Sequence, residues 1–173
     1  MKLFVLFLLV LLSAACTYLW DNGQELHEVR TEIDIVATPE EVWAVLSDIN
    51  SWHEWSPIIN HSVGDAELGS KLSIIMIGER KYQDGPEYQP IITHINAPVY
   101  FHWRAEMLAG FVMTNDKVFE LQATSNGTRL VHKELFTGML VPIFSNKFDE
   151  NIPLMLNAMN QALKVRVEKN KLL

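Results

Sequence analysis

Between residues 29 and 35 apolar and polar positions alternate. Val29, Thr31, Ile33 and Ile35 share one face, and Arg30, Glu32 and Asp34 share the other. That period of two predicts a half-buried strand. The period then changes. Val42, Trp43, Val45, Leu46 and Ile49 form an apolar stripe behind Thr38-Pro39-Glu40-Glu41. Thr38 can cap a helix there, Pro39 suits its first turn, and the two acids favour the positive end of its dipole. Trp52, Trp55 and Pro57 follow, predicting one more helical turn and a bend.

From 58 to 140 the period returns to two. Strands are expected over 58–63, 71–77, 88–95, 99–108, 116–124 and 129–140. Breaks are expected at Gly64-Asp65, Gly69, Asp84-Gly85-Pro86, Asn96-Ala97-Pro98 and Asn126-Gly127. With the first strand this makes about seven, joined by hairpin-length connections, and predicts one curved antiparallel sheet. A long helix closes the chain, with Asn151 as cap and Pro153 in its first turn, although a start near 145–149 also fits. Leu156, Met159, Leu163 and Val167 make its apolar stripe, widened by Met155, Ala158, Ala162 and Val165. So wide a face needs a concave partner, and the sheet supplies it. The expected class is α+β.

Asn126-Gly127 is the strongest turn signal in the chain, and a two-residue loop there sets Ser125 opposite Thr128. Glu120 then faces Lys133 and Val118 faces Leu135. On the other face lie Lys117, Phe119, Leu121, His132, Glu134 and Phe136, with Lys117 and Glu134 as diagonal neighbours. Ionisable groups on a core-facing side need partners. Three readings follow: a satisfied internal polar cluster, the polar end of a ligand cavity, or general acid-base chemistry by His132 and Glu134. The cavity reading has Trp103, Phe119, Leu121, Phe136, Met159 and Leu163 as walls and Lys117, His132 and Glu134 as its polar spot. Trp52 and Trp55 fit a cavity mouth or the core equally well.

Composition narrows the field. A length of 173 residues suits one domain. The formal charge of -7 opposes a nucleic-acid partner. The histidines show no metal-ligand spacing, and neither metal nor cofactor is expected. Lys2, the apolar run from Leu3 to Leu12, and small Ser13-Ala14-Ala15 before the lone Cys16 have the layout of a secretory signal. The ending resembles a bacterial lipoprotein box, which would make Cys16 the lipidated residue. An uncleaved anchor and plain secretion are the alternatives. Residues 1–15 are thus read as signal or anchor, 16–24 as tether and 25–173 as the domain, held outside the cytoplasm.

Several strings resemble the polyketide cyclase/dehydrase branch of the START-like (SRPBCC) superfamily. They are Ala37-Thr38-Pro39-Glu40-Glu41-Val42-Trp43, Trp55-Ser56-Pro57-Ile58, Asn126-Gly127-Thr128-Arg129-Leu130, the run His132-Lys133-Glu134-Leu135-Phe136-Thr137-Gly138, and Met159-Asn160-Gln161-Ala162-Leu163-Lys164. The likeness spans about 29–168. It implies the helix-grip fold, two short helices after the first strand, and a cavity between sheet and final helix for a lipid or another small hydrophobic or amphipathic ligand. Relatives include binders and a few cyclases, so the expected role is non-catalytic binding or transport, with a small cyclase or dehydratase as the alternative. Lys117 stands where relatives of this type often carry a histidine, in a Gly-x-His string, so the resemblance does not extend to a shared acid-base group there.

Overall fold

The computed structural model describes residues 13, 17, 26–78, 83–107 and 109–170. The apolar run, Cys16 and most of the tether lie outside the described residues. No helix among the described residues is long and apolar enough to cross a membrane.

Strand β1 (His27–Ile35) buries Val29, Thr31 and Ile35 and exposes Glu28, Arg30, Glu32 and Asp34, as its alternation requires. Helix α1 (Pro39–Leu46) opens with a full capping box. Thr38 Oγ1 accepts from the Glu41 amide at 3.3 Å, and Glu41 Oε2 accepts from the Thr38 amide at 2.7 Å. A 3₁₀ turn (Ile49–Ser51) leads into the single turn α2 (Trp52–Trp55). Trp52 is fully buried and its indole N–H donates to the Leu46 carbonyl at 2.9 Å, so this tryptophan belongs to the core.

Strands β2 (Ile59–Val63), β3 (Ser73–Ile77), β4 (Asp84–Tyr88), β5 (Ile91–Asn96), β6 (Tyr100–Glu106), β7 (Thr114–Thr124) and β8 (Gly127–Thr137) follow. They form a five-stranded antiparallel sheet in the order β1-β8-β7-β6-β5 and a three-stranded one in the order β2-β3-β4. The two are stitched by a bridge from Lys71 to Ile91 and a 2.9 Å bond from the Leu72 amide to the Pro90 carbonyl. The helix-grip layout expected from the sequence is therefore present, with eight strands among the described residues where about seven were counted. The additional strand is β4, in which the expected break Asp84-Gly85-Pro86 is itself paired with β3. β4 is an edge strand, so a proline without an N–H is tolerated there.

Helix α3 (Val141–Asn170) begins well before the expected start at Asn151 and Pro153. Pro142, not Pro153, occupies its first turn, and Pro153 sits inside it with no N–H to donate. Both halves are held by packing: Val141 and a Phe148 ring stacked on Phe136 at 4.1 Å before the proline, Leu156, Met159, Leu163 and Val167 after it.

The β7–β8 register corrects the expected one. Thr124 pairs with Gly127, so the loop is Ser125-Asn126. The expected opposition of Ser125 and Thr128 fails, and the ladder is shifted by two residues. Gly127 is required by its surroundings: it has φ +142°, and a Cβ there would collide with the Ile35 carbonyl oxygen. Lys117 consequently faces Glu134 directly, Phe119 faces His132 and Leu121 faces Leu130. Glu120 faces Val131, yet Lys133 Nζ still reaches Glu120 Oε1 at 2.8 Å, now diagonally on the outer face.

Candidate ligand cavity and its polar floor

The inner face of the large sheet is built in cross-strand rungs. One rung runs Val29, Glu134, Lys117, Trp103 and Ile92; the next toward the β1 start runs His27, Phe136, Asn115 and Ala105. In the opposite direction follow Thr31, His132, Phe119 and Phe101, then Ile33, Leu130 and Leu121.

A cavity of about 210 Å³ lies over the first two rungs. Trp103 and Ala105 of β6, Asn115 and Lys117 of β7, and Glu134 and Phe136 of β8 line it from the sheet. Ile59, Ile74, Met76 and Tyr88 of the small sheet close one side, and Phe148, Ile152 and Met155 of α3 the other. These walls come from two separate apolar clusters. Ile59, Ile74 and Trp103 belong to the larger, and Phe136 to the smaller, with Phe148 and Ile152 packed on it. The cavity is the space where the two clusters do not meet.

Four of the nine residues expected to line it do so: Trp103, Lys117, Glu134 and Phe136. Phe119, Leu121, Met159 and Leu163 are instead closed into the larger cluster, and His132 stacks on Phe119 at 4.2 Å with no exposure. The reason is length. The sheet face continues for two rungs past the cavity, and Trp52 fills the space over the nearer one, 6.0 Å from the Phe119 ring and 5.4 Å from Trp103.

The floor of the cavity is polar. Lys117 Nζ lies 2.8 Å from Glu134 Oε1, and each side chain is only 10 % exposed. Asn115 Nδ2 donates to Glu134 Oε2 at 3.1 Å, so both carboxylate oxygens are engaged. Lys117 Nζ also stands 5.8 Å from the centre of the Trp103 ring, a favourable place for a cation. Burial pushes the Tyr88 phenol up, and the nearby Glu134 charge adds to it, so the hydroxyl stays protonated. Asn115, two residues before Lys117 on the same strand face, was legible as a floor residue from alternation alone. Tyr88 was not, because it reaches the floor from the other sheet.

His132 is outside this floor. Its Nδ1 lies 2.8 Å from Asn160 Oδ1, while Asn160 Nδ2 donates to Thr31 Oγ1 at 2.9 Å. With its amide committed to Thr31, Asn160 offers His132 an acceptor, so Nδ1 carries the proton and Nε2 is a buried lone pair with no partner among the described residues. Burial holds the imidazole well below its usual range, the Lys117 charge adds to this, and the Asn160 bond opposes it. Glu134 lines the cavity and His132 does not, so the two do not face a common space. Among the described residues no group of three or more His, Cys, Asp or Glu side chains is placed to hold a metal ion.

A family model described as polyketide cyclase / dehydrase and lipid transport matches residues 27–168. Solved structures of the same fold include the di-domain aromatase/cyclase StfQ of the steffimycin biosynthetic pathway. Its TM-score is 0.70 at 9 % identity, covering 86 % of this chain and 53 % of that one, so this chain spans about half of the di-domain protein. The Zhui aromatase/cyclase from Streptomyces gives 0.67 at 13 % identity over 84 % and 95 % of the two chains. SA2116 from Staphylococcus aureus, a protein of unknown function, gives 0.68 at 14 % identity over 86 % and 98 %. No curated protein matches the chain in sequence. The family model covers every strand and all but the last residues of α3, and the chain belongs to the polyketide cyclase / dehydrase and lipid transport family.

Proposed function

We propose that this protein binds a small hydrophobic or amphipathic molecule in the cavity between the sheets and α3, without catalysing its conversion. The observation that carries this reading is the combination of apolar walls with a floor whose acid and base already satisfy each other. Ligand sites are mostly apolar with a few convergent polar groups. Each Glu134 oxygen already accepts from a neighbour, Lys117 or Asn115, so the carboxylate serves to hold the floor together. At about 210 Å³ the space is below the ~300–1,000 Å³ typical of drug-sized ligands, which favours a compact ring system or a short chain over a whole two-chain lipid.

The N-terminal apolar run and Cys16 support export and attachment to a membrane on its non-cytoplasmic side. β1 starts at His27, whose ring lies 5.9 Å from Phe148 on the cavity wall, so the tether would leave the domain beside the cavity. A ligand drawn from the membrane would then have a short path. Native mass spectrometry of the full-length protein, purified from the membranes of its own cells, tests the binding reading. A stoichiometric small molecule, lost on unfolding, is the expected result. A protein that carries nothing and takes up no apolar compound overturns the reading. Turnover of a cyclisable polyketide that disappears in Lys117→Met or Glu134→Gln would favour the enzyme alternative.

A further inference from the structure

The cavity floor has a charge balance of its own. Lys117 contributes one positive charge and Glu134 one negative, 2.8 Å apart and almost out of solvent. Among the described residues, the titratable neighbours that interact with the pair add none: Tyr88 is held protonated and His132 neutral. Asn115 tethers the second Glu134 oxygen at 3.1 Å. What remains available to a ligand is therefore polar but uncharged in sum: further N–H donors of the Lys117 ammonium, the Asn115 carbonyl oxygen and the Tyr88 hydroxyl.

Resting on the binding reading above, we propose that the Lys117–Glu134 pair makes this cavity select uncharged, oxygen-bearing ligands (alcohols, phenols, ketones or amides) and reject carboxylates. Glu134 is the residue that sets this preference. A ligand carboxylate close enough to accept from Lys117 Nζ comes within a few ångströms of Glu134, which holds the same nitrogen. Two carboxylates then share one cation between apolar walls, where like charges repel far more than in water. A ligand cation meets Lys117 in the same way. A hydroxyl or carbonyl oxygen accepts from Lys117 and adds no charge, and a hydroxyl can also donate to the Asn115 carbonyl oxygen.

The test uses isothermal titration calorimetry on the full chain in detergent, with identical titrations into protein-free micelles as blanks. The probes are 2-naphthol, 2-naphthamide and 2-naphthoate, which share one ring system and differ in charge. At about pH 7 the wild type is expected to bind the naphthol and the amide at least about ten-fold more tightly than the carboxylate. In Glu134→Gln, which keeps the shape and frees the Lys117 charge, the carboxylate should equal or overtake both. A wild type that binds 2-naphthoate as well as the neutral probes overturns the selectivity and leaves the binding reading standing. An unchanged ranking in a folded Glu134→Gln protein does the same. The wild-type amide-to-carboxylate comparison decides the matter even if the variant fails to fold. Binding of none of the three overturns the binding reading and the selectivity together.

Discussion

His132 of β8 is joined to Asn160 of α3 by a 2.8 Å hydrogen bond, one rung away from the cavity and wholly out of solvent. The groups facing it are Thr31 from β1, Phe119 and Lys117 from β7, and Asn160 from α3. Burial and the Lys117 charge hold it neutral, so its folded pKa lies well below that of a free imidazole, about 6.5. The sign follows from proton counting. Below about pH 6.5 the unfolded chain binds a proton at this imidazole and the folded chain does not. The contribution is complete above that pH and is lost as pH falls toward the folded value, at up to ~1.4 kcal/mol per pH unit. Urea unfolding of wild type and His132→Gln between about pH 7 and pH 5 should give curves that converge on acidification. Parallel curves would mean that His132 titrates normally in the fold.

The Lys117–Glu134 pair should behave as a buried pair. Lys117→Met leaves the Glu134 carboxylate with Asn115 alone and is expected to cost about 3 kcal/mol in urea unfolding. Lys117→Met combined with Glu134→Leu removes the stranded charge and should recover most of that loss. A double variant as unstable as the single one would show that packing, not charge pairing, dominates the floor.

Much of this site was legible because face assignment survives an even shift. The expected hairpin register was wrong by two residues, yet Lys117, Phe119, His132 and Glu134 kept the inner face, since only an odd shift turns a strand over. What alternation could not tell was where along that face the cavity ends. That depends on Trp52 arriving from α2 and on the small sheet bringing Ile74, Met76 and Tyr88 from another part of the chain. Met155 was read as the edge of the helix stripe, while Phe148 and Ile152 were missed for a local reason. Pro153 reads as a helix start when propensity is the only guide, and Pro142 carries the same signal eleven residues earlier.

The corrected loop has its own test. Gly127 is at φ +142° against the Ile35 backbone, so Gly127→Ala should cost more than about 2 kcal/mol. Asn126 sits in the exposed turn, and Asn126→Ala should stay within about 0.5 kcal/mol, measured by the same urea unfolding. A type I′ turn centred on Asn126-Gly127 would make both positions costly instead.

Ala105 and Leu121 separate cavity from core on the same sheet. Ala105 is buried on β6 but lines the cavity, so the added atoms of Ala105→Leu enter empty space. Each buried methylene contributes ~0.8 kcal/mol at best, and the variant should be as stable as wild type or more stable by about 1–2 kcal/mol. Leu121 is equally buried but stands opposite Leu130 in the larger packed cluster. Leu121→Trp therefore overpacks and should cost about 1–3 kcal/mol. Ligand uptake should show the reverse pattern. Calorimetric binding of 2-naphthol is expected to vanish in Ala105→Leu, where the space is filled, and to persist in folded Leu121→Trp, where it is not. If Ala105→Leu is destabilised as by overpacking and still binds 2-naphthol, the space over Asn115 and Lys117 is not where the ligand sits.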